Sequence, residues 1–177
     1  LANPDGSYKT TGNVVYNSAN NAPTRQNANG FDLNRNYPNW IVQGTTSLLH
    51  PDANAYQPET KAFMAWQRNR HIVMGANYHG GDQVMNYPWD GSATAGTTPN
   101  INRYSMHPHD NWWKLVTLAY AQTCQAQSST YMAASFAGQP AGITNGAAWY
   151  VILGGRQDYA NYFEHNKEVT IECSTTK

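Results

Sequence analysis

The chain has 177 residues, enough for one domain that buries roughly 70% of its extended surface. Lys and Arg total 11 and Asp and Glu total 11, so the formal net charge is zero, which excludes the basic excess of a nucleic-acid binder. Aromatic residues at 12% exclude a disordered chain, and no apolar run of about eighteen residues is present to span a membrane.

Only 12% of residues are charged, so the polar character comes from Asn, Gln, Thr, Ser and Tyr. Such a surface is commoner outside the cytoplasm, and a secreted, periplasmic or extracellular location is expected. The opening LANPDG carries neither an initiator Met nor an apolar leader, as expected of a processed or cut product. Cys124 and Cys173 form no C-x-x-C pair, which points away from a zinc knuckle or redox motif. A single disulfide and two free thiols both fit.

Residues 1–58 read as loop-rich, with an Asn-Pro-Asp-Gly turn at 3–6 and a short strand around Asn13–Tyr16. Pro58 opens a predicted helix over Glu59–Arg70, with Phe63, Met64 and Trp66 as its buried side. His71–Tyr78 has strand length and apolar content, and the strand is expected to end near His79. The chain resumes at Gln83–Trp89 and then loops to about Asn102. Asp110 is a predicted N-cap for a helix from Asn111 to Gln125, on which Trp112, Leu115 and Ala119 share a side. The adjacent Trp112 and Trp113 cannot both face one core, so one is expected at the surface. A loop runs to Gly142, and Glu168–Cys173 alternates like a strand. His71, His107 and His109 lack partners at ligand spacing and read as surface or turn residues. With no repeat or linker, the pattern predicts a single α/β domain over 1–177.

Three groups of residues are difficult to explain as packing. Arg25 and GFDLNRNYP at 30–38 set Asn34 and Arg35 in a loop, where a guanidinium fork and amide donors suit a carboxylate. Taken alone, the same residues read equally well as an ordinary polar loop. NYHGGDQVMNYPWD at 77–90 places His79 at a strand exit before two glycines, able to offer a ring nitrogen to a metal. A lone His is more often a hydrogen-bonded structural residue. GITNGAAWYVILGG at 142–155 precedes VTIEC, in which Glu172 stands among apolar neighbours where a carboxylate is expensive unless paired or working.

In this order, NPDG, Arg25, DLNRNYP, HGG…NYPWD, GITNGAAWY, GGRQDY and TIE resemble the zinc metallocarboxypeptidases, in the regulatory branch that includes carboxypeptidases D, E and N. Tyr150 precedes Glu172 by 22 residues, as in that family. The resemblance implies a three-layer helix–mixed sheet–helix domain, incomplete at both ends in this chain. It implies a zinc ion with His79 as one ligand, and peptide or protein C-termini as substrate. Arg25 matches the oxyanion-holding arginine and Glu172 the general base. Asn34, Arg35 and Tyr150 match the clamp on the substrate carboxylate. Asp90 and Gln157 match positions lining the pocket for the terminal side chain, and in this branch an acid and a Gln there accompany a preference for Lys or Arg.

The family takes its first two zinc ligands from an H-x-x-E motif upstream of NPDG, so they are expected to be missing here. His165–Glu168 also reads H-x-x-E, but at a position where the family has no ligand, so it is expected to be a coincidence. The alternatives are a metal-free relative that binds peptide C-termini, a glycan-binding module built on the many Tyr and Asn residues, and an amidase acting on cell-wall peptides or modified protein tails.

Overall fold

A computed structural model describes residues 25–41 and 56–175; the expected NPDG turn and the strand at Asn13–Tyr16 lie outside them. In chain order the elements are α1 (Pro58–Arg68), β1 (Met74–His79), β2 (Asp82–Tyr87), α2 (Asp110–Gln127), β3 (Ile143–Asn145), α3 (Gly146–Trp149), α4 (Arg156–Tyr162) and β4 (Lys167–Ser174). Among the described residues, short 3-10 turns also occur at Leu33–Arg35 and Ile101–Arg103. The strands form one sheet in the order β1–β4–β2–β3. β1 runs parallel to β4 and β2 parallel to β3, while β2 and β4 are antiparallel, so the sheet is mixed.

Side-chain alternation along β4 separates two layers. Val169 and Ile171 face α2 and join Met85, Tyr87, Trp113, Ala121, Met132 and Ile143 in the main core. Glu168, Thr170 and Glu172 face the other way, toward α4, whose Arg156 pairs with Glu168. On that side Tyr37, Met64 and Tyr159 form a second cluster. The arrangement is helix, mixed sheet, helix. β4 is buried through most of its length because α2 covers one face and α4 the other, while strands on both edges satisfy its backbone.

Several expectations change on folding. On α1 the buried positions are Thr60, Met64 and Gln67, and Trp66 is exposed. Ile72 and Val73 precede β1, and Val73 stands in solvent. α2 buries Asp110, Trp113, Thr117 and Ala121, leaving Trp112 and Leu115 outside. Trp113 is the inward member of the tryptophan pair. Asp110 is the first helical residue and His109 the cap; Asp110 pairs with Lys114 at 2.9 Å and accepts a 2.6 Å bond from the Tyr104 hydroxyl.

Of its reading as a surface or turn residue, His107 keeps the turn, its carbonyl accepting from Asp110 N–H at 3.0 Å, but it is buried. Its ring lies 4.7 Å from that of Trp89, and Nδ1 accepts from the His109 backbone N–H at 2.9 Å. That bond requires an unprotonated Nδ1. Burial, aided by Lys167 and His109 and opposed by Asp110, pulls the imidazole down to about 4. A lowered pKa means the folded chain binds fewer protons than the unfolded chain. The stabilisation is therefore complete above about pH 6.5 and is lost as pH falls toward 4. Denaturant titrations across that window should show stability falling with acid. His107→Gln should remove about 2 kcal/mol of the fall; an unchanged slope would refute the assignment.

Candidate functional site

The site sits where parallel strands β1 and β4 present their carboxyl ends, the usual location for ligands in α/β sheets. His79 ends β1 and stands in register with Glu172 on β4, so both side chains project to the α4 side. Glu172 is buried to 5% exposure. Gly80 and Gly81 then reverse the chain into β2.

The loop opposite is folded by its own side chains. Asn27 accepts from the backbone N–H groups of Asn29 and Phe31 through Oδ1, and Gly30 takes φ +79°, a conformation that favours glycine. The turn brings Arg25 back to Asp32, whose Oδ2 accepts from Arg25 Nε at 2.6 Å. Asp32 also caps the Leu33–Arg35 turn, Oδ1 accepting from Asn34 N–H at 3.0 Å. Asn34 Oδ1 accepts from Arg156 N–H at 2.9 Å, which ties the loop to the start of α4.

A pocket of about 370 Å³ gathers Arg25, Arg35, Tyr150 and Glu172, with Gly80 and Trp149 among its other walls. A neighbouring pocket of about 250 Å³ shares Arg25 and holds His79, Asn34 and Arg156. Six of the eight residues singled out in the sequence thus meet around two adjoining pockets. Burial, reinforced by the Arg25 and Arg35 charges against the pull of Asp32, brings His79 down to about 4. Its imidazole is neutral at physiological pH, the form that can donate a nitrogen lone pair to a metal. Burial raises the Tyr150 hydroxyl, keeping it a proton donor.

Asp90 and Gln157 are placed differently from the expectation. Asp90 is 3% exposed and Gln157 1%, and neither lines these two pockets. They are buried and bonded to each other, Gln157 Nε2 donating to Asp90 Oδ1 at 2.7 Å. Asp90 still senses Arg35 and Glu172 electrostatically, and burial together with the Asp158 charge raises its carboxyl well above the usual range.

The turn carrying Asp90 is fixed by residues that motif spacing did not single out. Asn145, the N-cap of α3, donates to the carbonyls of Pro88 and Ser105 and accepts from Ser105 N–H. Its neighbour Gly146 leaves room for the carboxylate, because a Cβ there would stand 1.7 Å from Asp90 Oδ1. Gly146→Ala should therefore destabilise the fold by about 1–3 kcal/mol despite the better helix former. Chemical denaturation would measure this, and a neutral or stabilising outcome would refute the close approach. The Asn-Gly pair before AAW was the available signal for this packing.

His165 adopts φ +55° in an exposed turn, and Glu168 is fully buried against Arg156 with Nε–Oε1 at 2.6 Å. The H-x-x-E string at 165–168 is thus occupied structurally. Among the described residues no group of three or more His, Cys, Asp or Glu converges for a metal, so they do not by themselves hold zinc. His79 offers one donor. Cys124 and Cys173 are both free thiols, and no helix among the described residues is long and apolar enough to cross a membrane.

Comparison with known proteins identifies the family and the fold. The profile of the zinc carboxypeptidase family (Peptidase_M14) matches residues 1–177. Carboxypeptidase D of Rattus norvegicus is 38% identical over 183 residues, covering 99% of this chain and 12% of that protein. The carboxypeptidase N catalytic chain of the same species is 32% identical over 188 residues, covering 99% and 40%. The crystal structure of thrombin activatable fibrinolysis inhibitor superposes with a TM-score of 0.57 at 18% identity, over 81% of this chain and 33% of that one. The chain therefore spans a minor part of each relative's length.

Proposed function

Because the chain belongs to the zinc carboxypeptidase family, we propose that its protein is a zinc-dependent metallocarboxypeptidase that removes single residues from peptide C-termini, favouring Lys or Arg. One observation carries the reading: Arg25, Arg35, Tyr150 and Glu172 share a pocket beside His79. His79 is proposed as one zinc donor. The resemblance puts the other two in an H-x-x-E segment upstream of NPDG.

Each group has a task that suits its position. Arg35, the Tyr150 hydroxyl and Asn34 are donors for a free carboxylate. With its oxygen committed to Arg156 N–H, Asn34 has its Nδ2 protons left for that role. A mid-chain peptide offers no such carboxylate, so cleavage is confined to the last bond. Arg25, oriented by Asp32, donates to the oxyanion that forms as the carbonyl is attacked. Glu172 takes the proton of the attacking water and returns it to the departing amine. Asp90, buried within reach of the Arg35 charge, is the proposed partner of a cationic terminal side chain, whose arrival would draw the raised carboxyl into its charged form. The neutral polar composition supports a protein located outside the cytoplasm, secreted or periplasmic.

The test is hydrolysis of blocked dipeptides ending in Arg or Phe by the full-length protein, with and without chelator. Cleavage that favours Arg and stops on chelation is expected; chelator-insensitive cleavage, or none, overturns the proposal. Peptide binding without hydrolysis or zinc would select the metal-free alternative.

A further inference from the structure

Asp158 follows Gln157 on α4 and is 4% exposed. Both of its carboxylate oxygens are committed. Oδ1 accepts from Asp90 N–H at 2.8 Å, and Oδ2 accepts from Gly91 N–H at 2.8 Å and from Trp40 Nε1 at 2.7 Å. Two consecutive residues of one helix therefore grip Asp90: Gln157 by its carboxyl, Asp158 by its backbone.

We infer that Asp158 is a positioning residue for substrate choice: by gripping the Asp90–Gly91 turn it fixes the direction of the Asp90 carboxyl. The inference rests on reading Asp90 as the group that selects basic ends. A neutral residue could hold two backbone N–H groups without the penalty of a buried charge. The cation that acts on Asp90 is Arg35, which already lines the pocket. The Asp158 carboxyl is raised to about 6 by burial, even though three N–H donors pull it down. An incoming Lys or Arg side chain would thus be attracted toward an Asp90 carboxyl held in one direction, and an apolar one would leave it unmatched. Trp40 completes the arrangement from the opposite loop, its ring 4.8 Å from that of Trp89, two residues before Gly91.

The experiment uses the full-length, zinc-loaded protein and three variants: Asp158→Asn, Trp40→Phe and Asp90→Ala. The first readout is the ratio of kcat/KM for blocked dipeptides ending in Arg and in Phe, with KM and kcat resolved separately. The second is calorimetric binding of free L-arginine and L-phenylalanine. Asp158→Asn is expected to lower the Arg/Phe ratio about tenfold, through KM and with weaker arginine binding, because hydrogen bonds to charged groups typically carry that much. Trp40→Phe keeps an aromatic ring and should lower the ratio by roughly threefold. If Asp158→Asn does not fold, Trp40→Phe decides, and an unchanged ratio in it overturns the inference. Equal losses on both substrates, or a lower melting temperature with the ratio intact, would mark Asp158 as merely structural and also overturn it. If Asp90→Ala lowers the ratio while the other two do not, the positioning role alone fails. If Asp90→Ala leaves the ratio unchanged, the selectivity reading fails and takes this inference with it.

Discussion

Replacing Glu172 by Gln in the full-length protein should lower kcat by about 10²–10⁴ while leaving KM for an Arg-ended peptide within about threefold, the range expected on removal of a general base. The substitution keeps shape and hydrogen-bonding capacity, so β4, paired on both edges at this position, has no reason to shift. The split between kcat and KM is the informative part. Glu172 contributes to bond-breaking, whereas Arg35, Tyr150 and Asn34 hold substrate and transition state alike. A Glu172→Gln variant with full turnover would remove the residue from the mechanism, and the peptidase proposal would lose its proton acceptor.

Arg25→Ala should lower kcat/KM by about 10²–10³, the usual consequence of losing one donor at a developing oxyanion. Its ion pair with Asp32 is solvent-exposed on the arginine side, 52% for that side chain, so loss of the pair should shift stability by less than about 1 kcal/mol. Activity and stability are thus expected to separate. A variant losing both in proportion would indicate that the Asn27–Asp32 turn, rather than the guanidinium, matters for catalysis. Asp32→Asn provides a further comparison: it weakens the orientation of Arg25 without removing it, and an intermediate rate should follow.

The parts of the fold legible in the sequence were those set by local periodicity and length. α1, β1, β2, α2 and β4 appear within a few residues of their expected limits. The inward faces were less legible. Trp66 and Leu115 are apolar yet exposed, while Thr60, Gln67 and Thr117 are buried in their place. Helical spacing shows which residues share a side, but the packing of neighbouring elements decides which side turns inward. The burial of His107 was illegible for a similar reason: its partner Trp89 comes from the segment after β2, and the first turn of α2 brings Trp113 against it. Around the two pockets, His79, Arg25, Arg35, Asn34, Tyr150 and Glu172 were singled out by ordered motifs, and the structure brings these side chains together. β3, α3 and α4 are each eight residues or shorter and carried no periodic signal. The network under Asp90 was invisible for another reason: Trp40 and Asp158 are 118 positions apart, and only the closed fold makes them neighbours.

The two walls of the site should differ in how readily their amides exchange with solvent. β4 carries Glu172 between two hydrogen-bonded strands and over a core reaching to Trp113, so its amide protons are released only when the whole sheet opens. The Arg25–Arg35 wall is held by one turn, a two-residue bridge and side-chain caps, so its amides open locally. Deuterium uptake should accordingly be slow on the proton-accepting wall and fast on the cationic one. Occupancy by a peptide end should slow exchange on the cationic wall alone, making isotope labelling a reporter of binding that needs no turnover.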